Sequence, residues 1–322
     1  MGMLIDGVWT DEDLRNTDKG GAFQRVDSSF RDFVTADGSS GFKAEPGRYH
    51  LYIAHNCPWA HRAAMMRKIK KLEEVVSMSV SDRPKLRGWG FSGLVDVAEP
   101  SPDGVFYLYQ AYQAADPKVS ARVTVPTLWD RAKKTVLNNE SSEIIRMLNS
   151  AFDQWGDASL DFYPEDLRGE IDRINDMVYP GLNDGVYRAG FARTQDAYEE
   201  AVKRVFHTLD TMEDILSRQR YLAGNRVTEA DWRAFATLVR FDQVYHTHFK
   251  CNMKRIGEYP NLSMYTRELY QYPGIADTVN VAEIKSGYFS NMTHINPTGI
   301  VAIGPAFDLA NPHNRARLPA AT

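Results

Sequence analysis

Apolar and polar positions change their rhythm twice along this chain. Residues 48–54, Arg-Tyr-His-Leu-Tyr-Ile-Ala, concentrate β-branched and aromatic side chains and predict a strand. Residues 58–72 predict a helix, with Pro58 in the first turn, where its missing N–H costs nothing. Residues 74–81 predict a second strand, and the strand–helix–strand order predicts a parallel pair with a right-handed crossover. Residues 82–118 carry Pro84, Gly88, Gly90, Gly93, Pro100, Pro102 and Gly104. They predict no regular element, only a long insertion of the kind that usually serves function. A third strand is expected at 123–129, entered through Pro126, a short fourth at 135–138, and a helix at 140–149.

Periodicity is lost across 151–163 and returns in another form. Segments 164–184, 195–218, 228–248, 261–271 and 274–287 place apolar residues three and four apart, so each predicts a helix. Thr228-Glu229-Ala230-Asp231 reads as a capping box, with Val227 before it as a staple. The expected organisation is an irregular N-terminal extension at 1–46, an α/β domain at 47–150 with the insertion at 82–118, and a linker at 151–163. An all-α domain follows at 164–322, with a Pro/Gly/Asn-rich tail from 296. The length of 322 residues agrees with two domains of roughly 150 each.

Composition removes several function classes. Thirty-eight Lys and Arg against 42 Asp and Glu leave a net charge of −4, which argues against a nucleic-acid binder held by a broad basic face. Mean hydropathy is −0.43, and no apolar run approaches the ~18 residues of a membrane span. The first residues show no basic segment followed by an apolar one, so no secretory leader is expected. Two cysteines, Cys57 and Cys251, make no disulfide framework. The expected compartment is the reducing cytoplasm, where thiols persist. His246 and His248 lack the Cys, Asp or Glu company of a metal site, so no metal is expected.

Free thiols invite chemistry, and Cys57 has the place for it. It falls between a predicted strand and a predicted helix, where unpaired N–H groups and the helix dipole favour a thiolate. Its pKa is therefore expected below the free value of about 8.5. Cys57-Pro58-Trp59-Ala60 has alanine where a dithiol motif has its second cysteine. A mixed disulfide on Cys57 then needs an external thiol to resolve it, in cytoplasm most often glutathione. Cys251, in His-Phe-Lys-Cys-Asn-Met, has no such setting and reads as a small buried hydrophobe.

Three strings now converge: Asn56-Cys57-Pro58-Trp59-Ala60-His61-Arg62, Val125-Pro126-Thr127-Leu128-Trp129 and Asn138-Asn139-Glu140-Ser141-Ser142-Glu143. Together they resemble the glutathione transferase superfamily, and in particular its cysteine-bearing xi class, the glutathionyl-hydroquinone reductases. Gly185-Val186-Tyr187-Arg188-Ala189-Gly190-Phe191-Ala192 and Lys285-Ser286-Gly287-Tyr288-Phe289 extend the resemblance over essentially the whole chain.

The resemblance implies a thioredoxin-like N-terminal domain with four strands, an all-helical C-terminal domain, and a homodimer. It implies a cis proline after Val125, whose backbone pairs with glutathione. Ser141 would take the γ-glutamyl carboxylate and Glu140 its ammonium; a plain helix cap is the other reading, and both can hold. Trp89, between two glycines, is placed over glutathione, against the alternative that it packs the insertion onto the domain. Arg122 can pair with a glutathione carboxylate or form an exposed ion pair at a helix end. Tyr187 and Tyr288 would hold the hydroquinone oxygen. His61, Arg62 and Arg188 are expected in buried ion pairs or helix contacts, without chemistry.

The implied reaction is glutathione-dependent reduction of glutathionyl-hydroquinones through Cys57. An omega-like thiol transferase or dehydroascorbate reductase needs the same cysteine but no tyrosine pair. A non-catalytic binding module of the same fold needs neither.

Overall fold

The computed structural model describes residues 2–11, 17–82, 87–92, 101, 104–306 and 308–319. The chain divides into two units, one of Met1–Leu14 with Val26–Leu160 and one of Arg15–Arg25 with Asp161–Thr322.

The first unit is built on β3 (Tyr49–Ile53), in which all five residues are buried. Such a run, apolar on both faces, suits a strand covered on both sides. His50, the polar member, is satisfied across the sheet by the hydroxyls of Ser77 and Ser79 at 2.7 and 3.0 Å. α1 (Pro58–Ile69) follows β3, and β4 (Ser77–Val80) then lies parallel to β3. β8 (Thr127–Asp130) and β9 (Thr135–Asn138) complete the sheet in the order β4-β3-β8-β9, with β8 antiparallel to both of its neighbours. α3 (Ser141–Ser150) closes this α/β arrangement. The third strand begins four residues later than its pattern suggests. Val123–Pro126 forms the approach to it, and the Val125–Pro126 bond is cis.

Two expectations need correction. The N-terminal extension is not irregular throughout: β1 (Met3–Ile5) and β2 (Val8–Thr10) form a hairpin, and β7 (Ala121–Arg122) pairs with β1. Its turn is Asp6-Gly7, both at positive φ (46° and 77°), the pairing that a two-residue hairpin turn demands. The insertion also has regular structure, namely β5 (Gly90–Phe91), β6 (Phe106–Tyr107) and α2 (Leu108–Ala115). Glycine and proline dominate that window but avoid 108–115, where Leu108, Ala111 and Tyr112 bury one helical face. Residues 83–86, 93–100 and 102–103 of the insertion lie outside the described residues.

Hairpin and insertion hold each other. Trp9 stacks on Tyr109 at 5.1 Å, and Gln113 donates to the Gly7 carbonyl at 2.7 Å. Gly88, at φ 83°, lies so near the Trp9 ring that a Cβ would come within 2.7 Å of it. Farther along, residues 30–32 run beside β9: Asp32 donates to the Leu137 carbonyl, and Arg31 bridges to Asn138. The extension thereby covers a sheet edge that would otherwise expose unpaired backbone groups.

The second unit is helical: α4 (Arg168–Val178), α5 (Gly185–Phe191), α6 (Gln195–Arg218), α7 (Glu229–Arg240), the short α8 (His246–His248), α9 (Pro260–Tyr270) and α10 (Val281–Phe289). Two of the expected helices are longer in pattern than in fact. Each of 164–184 and 228–248 is interrupted by a π-helical turn, at Tyr179–Asn183 and Phe241–Tyr245. α5 was not expected from periodicity, because seven residues give too short a window to show it. The capping box is present: the Asp231 carboxylate accepts from the Thr228 N–H at 2.7 Å, and also from Leu222 N–H and the Tyr265 hydroxyl. The tail is anchored by buried Arg315, which donates to the carbonyls of Leu216, Gln219 and Arg220 at 2.7 Å each. A cation suits that C-terminal end of α6.

Candidate active site

Cys57 is the N-cap residue of α1, with extended backbone (φ −83°, ψ 117°), and Pro58 is the first helical residue. The thiol is half-buried, in no disulfide, and the first turn of α1 has no acidic residue to offset the dipole. Its Sγ–H donates to the Val125 carbonyl at 3.2 Å. Residues 68 positions apart thus meet at the carboxyl end of β3, where strand, helix start and cis-proline loop converge.

Glu140 and Ser141 stand at the start of α3. The Glu140 carboxylate accepts from the Ser142 N–H at 3.0 Å, the Ser142 hydroxyl at 2.8 Å and the Ser28 hydroxyl at 3.0 Å. Burial works against its ionisation, but these bonds and the charge of Arg62 outweigh that and hold it below the usual carboxylate range. It is therefore anionic near neutrality and able to pair with an ammonium group. The helix-cap role of Glu140 is real, and it leaves the ligand role open. Arg62, 1% exposed, donates to the Ser141 hydroxyl at 3.3 Å and lies over the Trp59 ring. The sequence pattern alone assigns Arg62 no chemistry; its place in the Cys-Pro-Trp-Ala-His-Arg string is the available signal. Ser28, in the extension, has none.

Trp89 is buried at 6% exposure, in keeping with the alternative that it packs the insertion onto the domain. Arg122 lies on β7 opposite Met3 and is half-buried, so it stands on a strand and not at a helix end.

In the helical unit, the Tyr187 and Tyr288 hydroxyls are 2.5 Å apart, although 101 positions separate them in the chain. Tyr245, not singled out from the sequence, joins Tyr288 at 2.9 Å. Burial, together with the neighbouring Tyr187 and Tyr245, pushes the Tyr288 phenol well above its usual range, against the charge of Arg240. Arg188 pairs with Asp184 at 2.9 Å, as does Arg25 at 2.5 Å, and the Arg25 guanidinium lies 5.1 Å from the Tyr187 ring centre. Cys251 is fully buried and burial pushes its thiol up, which makes it inert. Among the described residues no group of three or more His, Cys, Asp or Glu is placed to hold a metal ion. No helix among them is long and apolar enough to cross a membrane.

A four-stranded sheet with a helix start at Cys57 and a loop at Val125–Pro126 beside it, followed in the chain by a helical unit, is the arrangement of a glutathione transferase. Residues 56–151 match the family model for the glutathione S-transferase N-terminal domain, and 195–268 that for the C-terminal domain. The chain is 52% identical to the glutathionyl-hydroquinone reductase PcpF of Sphingobium chlorophenolicum, over 95% of this chain and 97% of that one. It is 50% identical to the glutathionyl-hydroquinone reductase YqjG of Escherichia coli (strain K12), over 98% of each. The solved structure of a xi-class transferase from Natrialba magadii superposes with a TM-score of 0.90 at 45% identity, covering 100% of this chain and 98% of that one. The chain belongs to the glutathione transferase family, and within it to the xi class of glutathionyl-hydroquinone reductases.

Proposed function

We propose that this protein reduces glutathionyl-hydroquinones to hydroquinones at the expense of glutathione. The observation that carries the reading is Cys57: a half-buried thiol at the N-terminus of α1, beside the Val125 carbonyl, with Ala60 in place of a resolving partner. Kinship supports it, because the relatives PcpF and YqjG carry that activity in their names and YqjG has a glutathione-bound structure.

The glutathionyl-hydroquinone takes its ketone tautomer, with a proton on the ring carbon that bears sulfur. The Cys57 thiolate attacks the sulfur, a sulfur–sulfur bond forms, and the carbon–sulfur bond breaks. Its electron pair passes through the ring to the carbonyl oxygen, and the hydroquinone leaves. A second glutathione attacks the mixed disulfide and releases glutathione disulfide, so the thioether is reduced while two glutathione sulfurs are oxidised. The hydrogen-bonded Tyr187–Tyr288 pair supplies a donor to the oxygen that gains charge, a task a preorganised hydroxyl serves well. Val125, Glu140 and Ser141 hold glutathione, with Trp89 over it and Arg122 on a carboxylate. A reducing cytoplasm supplies the second thiol, and the working form is a homodimer.

Product analysis tests this. Protein, glutathione and a glutathionyl-hydroquinone should yield free hydroquinone and glutathione disulfide in equal amounts. Recovery of the thioether unchanged would sink the reading.

The glutathione assignment has its own check. Glu140→Ala and Ser141→Ala should each raise the KM for glutathione about ten- to a hundred-fold, the worth of a charge-assisted hydrogen bond, with a smaller effect on kcat. An unchanged KM with a lowered melting temperature would reduce both residues to helix-capping duty.

A further inference from the structure

Ser28 belongs to the N-terminal extension, 112 positions before Glu140, yet the fold brings the two side chains together. Residues 28–32 run antiparallel to the end of β9. The Asp32 N–H donates to the Leu137 carbonyl, and the Asn139 N–H to the Phe30 carbonyl, at 3.1 Å each. The Phe30 N–H donates in turn to the Asn139 side-chain oxygen at 3.0 Å, and its ring meets Tyr112 edge-on at 5.3 Å. The same register carries Ser28 to the start of α3. There its hydroxyl lies 3.0 Å from Glu140 Oε2 and 3.2 Å from the Asn139 carbonyl oxygen. Both are acceptors, so the one hydroxyl proton is shared between them. The carboxylate, nearer and charged, takes the larger share.

We propose that Ser28 is a positioning residue for glutathione: it fixes the Glu140 carboxylate for the γ-glutamyl ammonium, so that the extension completes the glutathione site. This rests on the reading that Glu140 takes that ammonium. The terminal torsion of a glutamate is broad, so bonds to one oxygen leave the other free to swing. Oε1 is held by Ser142, through its N–H at 3.0 Å and its hydroxyl at 2.8 Å. Oε2 is held by Ser28, and that second bond sets the plane of the group. An ionised carboxylate offers roughly four acceptor sites over its two oxygens. Among the described residues three donors occupy it, two on Oε1 and one on Oε2, which leaves a place on Oε2 for an ammonium.

The segment does not depend on the Ser28 hydroxyl for its own place. Besides the main-chain pairings, the Asn138 side-chain amide donates to the Asp32 carbonyl at 3.0 Å, and Arg31 Nε donates to Glu143 at 2.7 Å. Ser28 is half-buried, so its truncation to alanine opens no core cavity.

Equilibrium binding to the full-length protein tests this with two probes. S-methylglutathione carries the γ-glutamyl ammonium and has no thiol to react. S-methylcysteinylglycine bearing a glutaryl group on its nitrogen keeps the terminal carboxylate and lacks the ammonium. Ser28→Ala should weaken binding of the first about two- to ten-fold and leave binding of the second unmoved. In turnover the loss should appear in the KM for glutathione and not in kcat. Ser28→Ala/Glu140→Ala should bind S-methylglutathione no more weakly than Glu140→Ala alone, because Ser28 acts only through Glu140. Equal losses for both probes, or losses that multiply in the double variant, would overturn the proposal and reduce Ser28 to a fastening of the extension. So would unchanged binding by Ser28→Ala alongside a weakened Glu140→Ala, with the ammonium reading left standing. Undiminished binding of S-methylglutathione by Glu140→Ala would remove the ammonium reading and the proposal together.

Discussion

Cys57→Ser is expected to remove thioether reduction, by on the order of 10³-fold or more, with circular dichroism and melting unchanged. A serine hydroxyl in the same place sits at the same helix terminus, but it is not ionised near neutrality and forms no mixed disulfide with glutathione. Cys57 is only half-buried and its side chain makes no helix-capping hydrogen bond, so the fold has little to lose. Mass spectrometry should find a glutathione adduct on Cys57 in the wild type and none in the variant. Cys251→Ser is the control. Its thiol is fully buried, and turnover per folded molecule should not change. Full turnover by Cys57→Ser would end the thiolate mechanism.

Tyr187→Phe and Tyr288→Phe are expected to divide two activities that Cys57 alone cannot separate. Each removes one hydroxyl and retains a ring packed among aromatics, with Phe249 5.3 Å from Tyr187 and 5.7 Å from Tyr288. Carbon–sulfur cleavage leaves charge on a ring oxygen, and the loss of a positioned donor there should slow it about 10²-fold. Exchange with a small disulfide needs only Cys57 and the glutathione site, so its rate should hold. Equal losses in both assays would indicate a folding defect. No loss in either would favour the omega-like thiol transferase and take the phenols out of the chemistry.

What the sequence showed, and what it hid, follows from the range of the interactions. The Cys-Pro start of α1, the buried strand 49–53 and the capping box at 228–231 are local. Each rests on residues within a turn or a strand of one another, and each was readable. The Asp6-Gly7 turn is equally local, but the polar texture of the extension masks it. α2 was hidden by the glycines and prolines on its N-terminal side. Burial of Trp89 and the strand position of Arg122 depended on pairings that the local pattern did not state.

The sequence by itself determined a cysteine at a helix terminus, the absence of a second cysteine three residues on, and the alternation of strands and helices, because hydrophobic period and cap chemistry act over a few residues. Only the tertiary structure decided which side chains meet. Cys57 finds the Val125 carbonyl across 68 positions, Arg62 finds Ser141 across 79, and Tyr288 finds Tyr187 across 101 and Tyr245 across 43. With sixteen tyrosines in the chain, nothing in the sequence around Tyr245 marks it out. Its hydroxyl reaches Tyr288 through packing driven by burial of apolar surface, a force without direction that leaves partner selection to the fold as a whole.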